Sequence, residues 1–225
     1  MQQGYYLNNL YPLQDRVLKE ISDCNTPFYL TGGTALSRHY LNHRFSDDLD
    51  LFVNRENEFK QYVDLIIDRL KSKFAIETSL FWEDFVRLFV IDNHVELKIE
   101  LVNDVAYHSG KTNTNTWFNM IDSWENILSN KLTAIQRNAA KDFADIIFLS
   151  LNFDFNWRNM FEEAKKKDTW VNELEVSTAF INLKIEELTS LNWTIDLKNY
   201  NLMKLSATIA RDILIGEKNS LFIMK

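Results

Sequence analysis

Apolar residues recur every three or four positions in some stretches of the chain and alternate with polar residues in others. The helical period occurs over residues 13–24 and 56–74. Patterns typical of strands occur at 28–31, 48–53, 75–82, 85–91 and 95–102. Beyond residue 120 the patterns are helical, including 123–153, which is divided near Ala139-Ala140, and 157–167, 170–188 and 202–215. This order predicts an α/β domain over residues 1–120 and an all-helical domain over 121–225.

Three segments between these elements have the composition of turns or loops. Asp92-Asn93 separates two strand patterns and predicts a hairpin turn. Thr34 follows a Gly-Gly pair at the position expected for a helix N-cap. Residues 104–116 contain the sequence SGKTNTNT, and we expect them to form a mobile loop or a lid.

Composition limits the classes of function. A net charge of −7 does not suit a protein that coats nucleic acid through a basic surface, so we expect any nucleic-acid contact to be local. The single cysteine, Cys24, excludes an intramolecular disulfide. The sequence has neither a signal-peptide pattern nor an apolar run of about 20 residues. We therefore expect a cytoplasmic protein with no membrane partner.

Carboxylates occupy the polar faces of two predicted strands. Asp48 and Asp50 are two residues apart and therefore share one face of their strand. Parallel carboxylates repel each other unless a cation joins them, and hard oxygen ligands suit Mg²⁺ with nucleotide phosphates. Glu100, in the strand VELKIELV, is the candidate for a third ligand, with Glu96 as the alternative. The alternative to a metal site is an ordinary polar strand face exposed to water.

The glycine pair Gly32-Gly33 permits a sharp turn and close approach of the backbone to a ligand. The helix that follows would present free N–H groups to an anion. Thr34 adds a hydroxyl there, and Arg38 adds a cation one helical turn later. The alternative is a simple turn before a helix with an exposed basic face. A Gly-Gly-Thr site shortly before a D-x-D pair favours a phosphate and a metal together.

These motifs resemble the nucleotidyltransferase superfamily that includes DNA polymerase β, and more closely the AbiEii/AbiGii toxin family. GGTALSRHYLNHRFSDDLDLF is similar to that family's first motif, and ENILSNKLTAIQRNAAKDFADIIFL is similar to its downstream motif. Together they cover residues 28–150. The resemblance implies a mixed-sheet nucleotidyltransferase domain followed by an all-helical domain.

The resemblance also implies roles for individual residues. The nucleotide-binding set would be Gly32, Gly33, Thr34, Arg38, Arg44, Ser46 and Lys131. The metal ligands would be Asp48, Asp50 and Glu100, and the catalytic set would add Lys131 and Asp142 to these three. Two features depart from the family pattern: Lys141 stands where arginine is usual, and the third carboxylate is a glutamate.

The implied activity is Mg²⁺-dependent transfer of a nucleoside monophosphate from an NTP to an acceptor, with two metal ions. The implied acceptor is tRNA or another RNA, and the implied context is the toxin of a toxin–antitoxin or abortive-infection pair, with a cognate antitoxin as partner. Two alternatives stay open. One is a nucleotidyltransferase that modifies a small molecule such as an aminoglycoside, and the other is a non-catalytic nucleotide-binding module.

Overall fold

The structure is a computed structural model that describes residues 2–223. It divides into two compact units. The first unit contains the residues up to 39 together with 45–123, and the second contains 40–44 together with the residues from 124 onward. A five-stranded sheet lies in the first unit and helices form the second. The predicted fold class, a mixed α/β region followed by a helical region, is confirmed.

The first unit contains both helices and strands, and its last three strands follow one another directly. The strands are β1 (Tyr29–Thr31), β2 (Leu49–Asn54), β3 (Ala75–Phe81), β4 (Phe85–Asp92) and β5 (Val95–Asp104). The helices are α1 (Gln2–Tyr5), α2 (Tyr11–Ser22), α3 (Gly32–Ala35) and α4 (Phe59–Lys71). Short π-helical segments, Tyr6–Leu10 and Leu36–Leu41, follow α1 and α3.

The sheet has the strand order β1-β2-β5-β4-β3. β2 and β5 pair in parallel, and the other neighbours pair antiparallel, so the sheet is mixed as expected. Side chains alternate between the two faces of each strand. On β2 and β5 the buried face carries Leu49, Leu51, Ile99 and Leu101. The core of this unit also includes buried apolar side chains of α2 and α4, which pack against each other.

Two local predictions need correction. The hairpin turn consists of Asn93 and His94, with φ of 47° and 66°, because Asp92 still belongs to β4. Thr34 is not an N-cap, because α3 begins at Gly32 and Thr34 lies inside the helix.

The loop predicted at residues 104–116 is held at one point by backbone hydrogen bonds. Asn113 and Ile121 exchange two of them, of 2.7 and 2.8 Å. Its role as a lid stays a prediction.

The second unit is built from helices. They are α5 (Trp124–Ala134), α6 (Ala140–Asn152), α7 (Trp157–Lys165), α8 (Glu173–Ile181), α9 (Ile185–Thr189) and α10 (Leu202–Ile215), with 3₁₀ turns at Ile135–Arg137 and Leu197–Asn199. Asparagine side chains cap α7, α8 and α10 by accepting a backbone N–H three residues later. Large apolar side chains, among them Phe143, Trp157, Phe161 and Phe180, form the core.

Within residues 2–223, none of the helices combines the length and the apolar character needed to cross a membrane.

The Asn93-His94 turn generates a stability prediction. His94 is exposed and holds a positive φ that disfavours a residue with a Cβ atom. Replacing His94 with Gly should stabilise the protein by about 0.5–1 kcal/mol, measured by urea unfolding. His94→Ala is the matched control and should give no gain, and an equal gain in both variants would contradict the turn geometry.

Candidate active site

A carboxylate cluster lies on the partly exposed face of the sheet and comprises Asp48, Asp50 and Glu100. Asp50 in β2 and Glu100 in β5 are direct register partners across the parallel pair. Asp48 precedes β2 by one residue. The β2–β5 ladder begins at Ile99, so Glu96 lies outside it and is exposed. The register therefore brings Glu100, and not Glu96, beside Asp50.

Two basic side chains hold the carboxylate cluster. Lys98 Nζ lies 2.9 Å from Asp48 Oδ2 and 3.2 Å from Glu100 Oε1, so one ammonium joins both carboxylates. Arg87 is the register partner of Glu100 in β4, and its Nε and Nη2 lie 2.9 and 2.7 Å from Glu100 Oε1. Asp48 and Glu100 are thus each paired with at least one cation.

The pKa values reflect this pairing. Burial alone would lower the pKa of the Lys98 ammonium, but the hydrogen bond and charge of Asp48 and the charge of Glu100 raise it above its ordinary value. Burial would raise the pKa of Glu100, yet Lys98 and Arg87 hold it below its ordinary value. Lys98 is therefore a cation and Glu100 an anion at neutral pH.

Side chains of two helices position the segment that leads into β2. The buried Gln14 amide donates to the backbone oxygens of Ser46 (3.2 Å) and Asp47 (3.1 Å). The buried Thr34 hydroxyl is hydrogen-bonded to Ser46 Oγ at 2.9 Å and to the backbone oxygen of Asp48. Thr34 and Ser46 are thus engaged with each other and with the backbone beside Asp48.

Gly32 lies against the Asp50 carboxylate. Its φ is +66°, a conformation that favours glycine, and a Cβ atom added there would overlap Asp50 Oδ2. The glycine pair therefore permits the turn and leaves room for a carboxylate. Contact of Gly32 and Gly33 with a nucleotide stays a prediction.

Arg38 lies between two aromatic rings. Its guanidinium carbon is 4.6 Å from the Tyr11 ring centroid and 4.7 Å from that of Trp117. It also forms an ion pair with Asp15 and donates to Gln14 Oε1 at 3.2 Å. These contacts fix Arg38 locally, and its predicted contact with a nucleotide stays a prediction.

The second unit contains a buried ionic cluster formed by Arg44, Lys131, Asp142 and Asp145. Lys131 Nζ on α5 lies 2.6 Å from Asp142 Oδ1 and 2.8 Å from Asp145 Oδ2, both on α6. Arg44 binds Asp145 in a bidentate manner, with Nε–Oδ1 and Nη2–Oδ2 distances of 2.8 Å. The Lys131 side chain is 7% exposed and both aspartates are fully buried. Asp145 is therefore part of the core.

Electrostatic pairing offsets the cost of burial in this ionic cluster. Burial would raise the pKa of Asp145, but Arg44, Lys131 and the His43 hydrogen bond hold it well below its ordinary range. Burial would likewise raise the pKa of Asp142, which Lys131 and Arg137 hold below its ordinary value. Lys131 and Arg44 are thus bound to carboxylates, and their predicted phosphate contacts stay predictions.

His43 completes this cluster as a neutral side chain. Its Nε2 lies 2.9 Å from Asp145 Oδ1, and burial lowers its pKa despite that hydrogen bond. The Nδ1 atom is buried and has no hydrogen-bond partner among the described residues. A neutral ring that donates from Nε2 accounts for both observations.

Sequence analysis did not assign four residues to these clusters: Arg87, Lys98, His43 and Asp145. A signal for Lys98 existed, because Glu96, Lys98 and Glu100 alternate on one strand face. Arg87 had no such signal, since its contact with Glu100 depends on the β4–β5 register. His43 precedes Arg44 in the first motif, but only the fold brings it to Asp145.

The carboxylate cluster can be tested for its fit to a divalent cation. Among residues 2–223, no group of three or more His, Cys, Asp or Glu side chains has an arrangement that could hold a metal ion. The donor chemistry fits, because oxygens of Asp48 and Glu100 already contact one cationic nitrogen and Asp50 lies beside Glu100. A divalent ion placed between these oxygens would occupy the position of Lys98 Nζ.

The Gly32 contact predicts a selective loss of stability. Replacing Gly32 with Ala should destabilise the protein by more than about 1 kcal/mol, because a Cβ meets both a positive φ and Asp50. Gly4→Ala is the control, since its Cβ would meet only Asn8 Nδ2 at 3.8 Å. Urea unfolding measures both variants, and equal stability of Gly32→Ala and the wild type would contradict this packing.

The buried ionic cluster predicts a pH dependence of stability. Asp142 and Asp145 have pKa values below 3.8, so their stabilisation is present above that pH and is lost as the pH falls through their folded-state values. Lys131→Met removes a cation that lowers both values. It should cost about 3–5 kcal/mol at pH 7 and move acid unfolding to higher pH.

Urea unfolding between pH 7 and pH 3 measures this effect. The control is Lys141→Met on α6, the helix that carries both aspartates, because Lys141 is exposed and should change stability by less than about 0.5 kcal/mol. Acid unfolding of Lys131→Met at the wild-type pH would show that Lys131 does not control the two aspartates.

Comparison with known proteins identifies relatives of the chain. The family described as "Nucleotidyl transferase AbiEii toxin, Type IV TA system" matches residues 16–210. A protein of Aquifex aeolicus (strain VF5), described as "Uncharacterized protein aq_aa25", is 32% identical over 145 residues, which are 64% of this chain and 67% of that protein.

Solved structures from Helicobacter pylori have a similar fold. JHP933 aligns with a TM-score of 0.63 and 22% identity over 91% of this chain and 90% of its own. A second H. pylori protein aligns with a TM-score of 0.58 and 22% identity over 89% and 93% of the two chains. At this identity the likeness shows the fold alone, whereas the family match spans most of the sequence. The chain belongs to the AbiEii nucleotidyl transferase toxin family of type IV toxin–antitoxin systems and is a nucleotidyltransferase.

Proposed function

We propose that the chain transfers a nucleoside monophosphate from an NTP to an RNA acceptor in a Mg²⁺-dependent reaction, and that the carboxylate cluster is its metal centre. The observation that carries this proposal is the shared contact of Asp48 and Glu100 with one cationic nitrogen, beside Asp50. The family supplies the reaction class and an NTP as the substrate.

Asp48, Asp50 and Glu100 would hold the divalent ions. When bound, Mg²⁺ would stabilise the negative charge that develops on the attacking and leaving oxygens during phosphoryl transfer. The protein's part is to fix the carboxylates before substrate arrives. Gln14 and Thr34 do so for the backbone that leads to Asp48, and the parallel strand pairing does so for Asp50 and Glu100.

The nucleotide would lie at the glycine turn. Gly32 and Gly33 permit close approach of the backbone, and the turn adjoins Asp50. Arg38 and Ser46 complete the nucleotide-binding set within the same unit. In this proposal, residues 1–120 form the nucleotidyltransferase domain and 121–225 the helical domain.

Arg44, Lys131 and Asp142 enter the proposal through the family motifs. Their charges are paired within the second unit, where Lys131 contacts Asp142 and Asp145. A phosphate contact would require Lys131 to exchange a carboxylate partner for a phosphate oxygen. Such an exchange is electrostatically reasonable, because both partners are anionic oxygens.

We further propose that the acceptor is RNA and that the activity is restrained by a cognate antitoxin. The description of the family as a toxin of a toxin–antitoxin system supports the antitoxin. The RNA acceptor rests on the resemblance of the sequence motifs to that family. The chain carries a net charge of −7, so contacts with an RNA acceptor must come from local cations and not from a generally basic surface.

An isotope-transfer assay tests this proposal. Purified protein is incubated with each α-³²P-labelled NTP in turn, Mg²⁺ and total cellular RNA. We expect label in a discrete RNA band that EDTA abolishes. Asp48→Asn should lower the transfer rate by about 10²–10³-fold, because it removes one anionic ligand from the metal centre.

The neighbouring carboxylate provides the matched control. Asp47 Oδ1 accepts a hydrogen bond from the Tyr6 hydroxyl at 2.6 Å, and an asparagine oxygen can replace it. Asp47→Asn should retain activity. Label in an aminoglycoside and not in RNA would overturn the RNA acceptor, and absence of both label and Mg²⁺-dependent NTP binding would overturn the catalytic proposal.

A further inference from the structure

Lys98 is a cation of the chain itself that lies between Asp48 and Glu100 of the carboxylate cluster. Its Cα lies in β5, two residues before Glu100 and on the same face of the sheet. Its ammonium contacts Asp48 and Glu100, which belong to different segments of the unit. A lysine in this position has the same kind of electrostatic effect as a bound metal ion, because its positive charge stabilises carboxylates that would otherwise repel each other.

Partial exposure makes this pairing exchangeable. The side chains of Lys98, Asp48 and Glu100 are 28%, 27% and 18% exposed. The ammonium is a compact, strongly hydrated charge on a flexible stem, so it can leave the carboxylates and enter water. The Lys131 side chain in the second unit is only 7% exposed and therefore has much less access to water.

Arg87 would hold Glu100 in its position if Lys98 left the cluster. It contacts Glu100 from β4 through two nitrogens, independently of Lys98. When Lys98 leaves, Glu100 therefore keeps one cationic partner and its position on the sheet. Asp50 would keep its register with Glu100 across the parallel strands.

We propose that Lys98 is a resident counter-cation of the carboxylate cluster, which holds Asp48 and Glu100 in the metal-free enzyme and is displaced when a divalent metal binds. This inference rests on the proposed function only in assuming that a metal binds this cluster. Displacement lowers the affinity for the free metal, because the favourable contacts of Lys98 are lost. A metal that arrives with the triphosphate brings additional oxygen ligands, so the nucleotide-bound metal is the species that displaces Lys98 most readily.

Direct metal binding tests the proposal without any measurement of catalysis. Mn²⁺ is titrated into the purified, full-length protein, and free Mn²⁺ is followed by electron paramagnetic resonance. Lys98→Met keeps an unbranched side chain, one heavy atom shorter, and removes its charge. We expect it to bind Mn²⁺ about tenfold more tightly than the wild type, as removal of a competing contact charge predicts.

A lysine elsewhere on the same unit controls for net charge. Lys60 is an exposed residue of α4, and Lys60→Met lowers the net charge by the same amount. It should leave Mn²⁺ affinity unchanged. Equal affinities of Lys98→Met and the wild type would overturn the counter-cation role, as would an equal gain in Lys60→Met.

Thermal unfolding supplies a second, independent readout. In EDTA, Lys98→Met should unfold at a lower temperature than the wild type, because Asp48 and Glu100 lose their shared cation. Mn²⁺ should raise its unfolding temperature more than that of the wild type. An unchanged unfolding temperature in EDTA would contradict the role of Lys98.

The measurements also separate this inference from the proposed function. Mn²⁺ binding that is equal in the wild type and Lys98→Met, but lost in Asp48→Asn, would retain the metal centre and overturn the role of Lys98. Absence of Mn²⁺ binding in all three proteins, including in the presence of NTP, would overturn both.

Discussion

The parallel pairing of β2 with β5 places two carboxylates side by side, and the chemistry of the first unit depends on that register. Asp50 and Glu100 face each other on adjacent strands, and Asp48 stands one residue before β2. Like charges at this separation destabilise a sheet unless cations lie among them. Arg87 and Lys98 provide those cations from β4 and β5. The residues that accommodate the repulsion are thus as much a part of the site as the carboxylates.

Each unit contains two or more carboxylates joined by a lysine, but the two arrangements differ in solvent access. In the second unit, Lys131 is almost fully buried between Asp142 and Asp145. Removing one member there would leave an uncompensated buried charge, so a partner can leave only when another ion takes its place. In the first unit, Lys98 is partly exposed, so water can take its place. Solvent access therefore distinguishes the two networks. In the second unit a lost partner must be replaced by another ion, whereas in the first unit water can replace it.

Local patterns predicted much of the secondary structure because they depend only on neighbours in sequence. The helical period predicted a helix from Leu202 to Ile215, which are the observed bounds of α10. The alternation of apolar and polar residues placed Asp50 on the face opposite Leu49 and Leu51. The choice of Glu100 before Glu96 agrees with the register of the sheet. The position of Thr34 was wrong, because the helix begins within the glycine pair, where glycine can adopt the required φ.

Partnerships across the fold could not be predicted in the same way. The contact of Lys98 with Asp48 depends on which strand lies beside β2, and that of Arg87 with Glu100 depends on the β4–β5 register. Burial of Asp145 with Arg44 joins residues 101 positions apart. Such contacts follow from tertiary packing, and a single sequence contains no direct record of them.

The strict alternation along β5 has a consequence for how this part of the chain can change length. Leu97 and Ile99 face the core while Lys98 and Glu100 face the opposite side. Deleting one residue from the two-residue turn Asn93-His94 would oblige β5 either to rebuild the turn or to slip by one position. A slip would place Lys98 and Glu100 in the core and two aliphatic side chains beside Asp50. Natural variants of this hairpin should therefore differ by substitution, and insertions or deletions should be confined to pairs of residues.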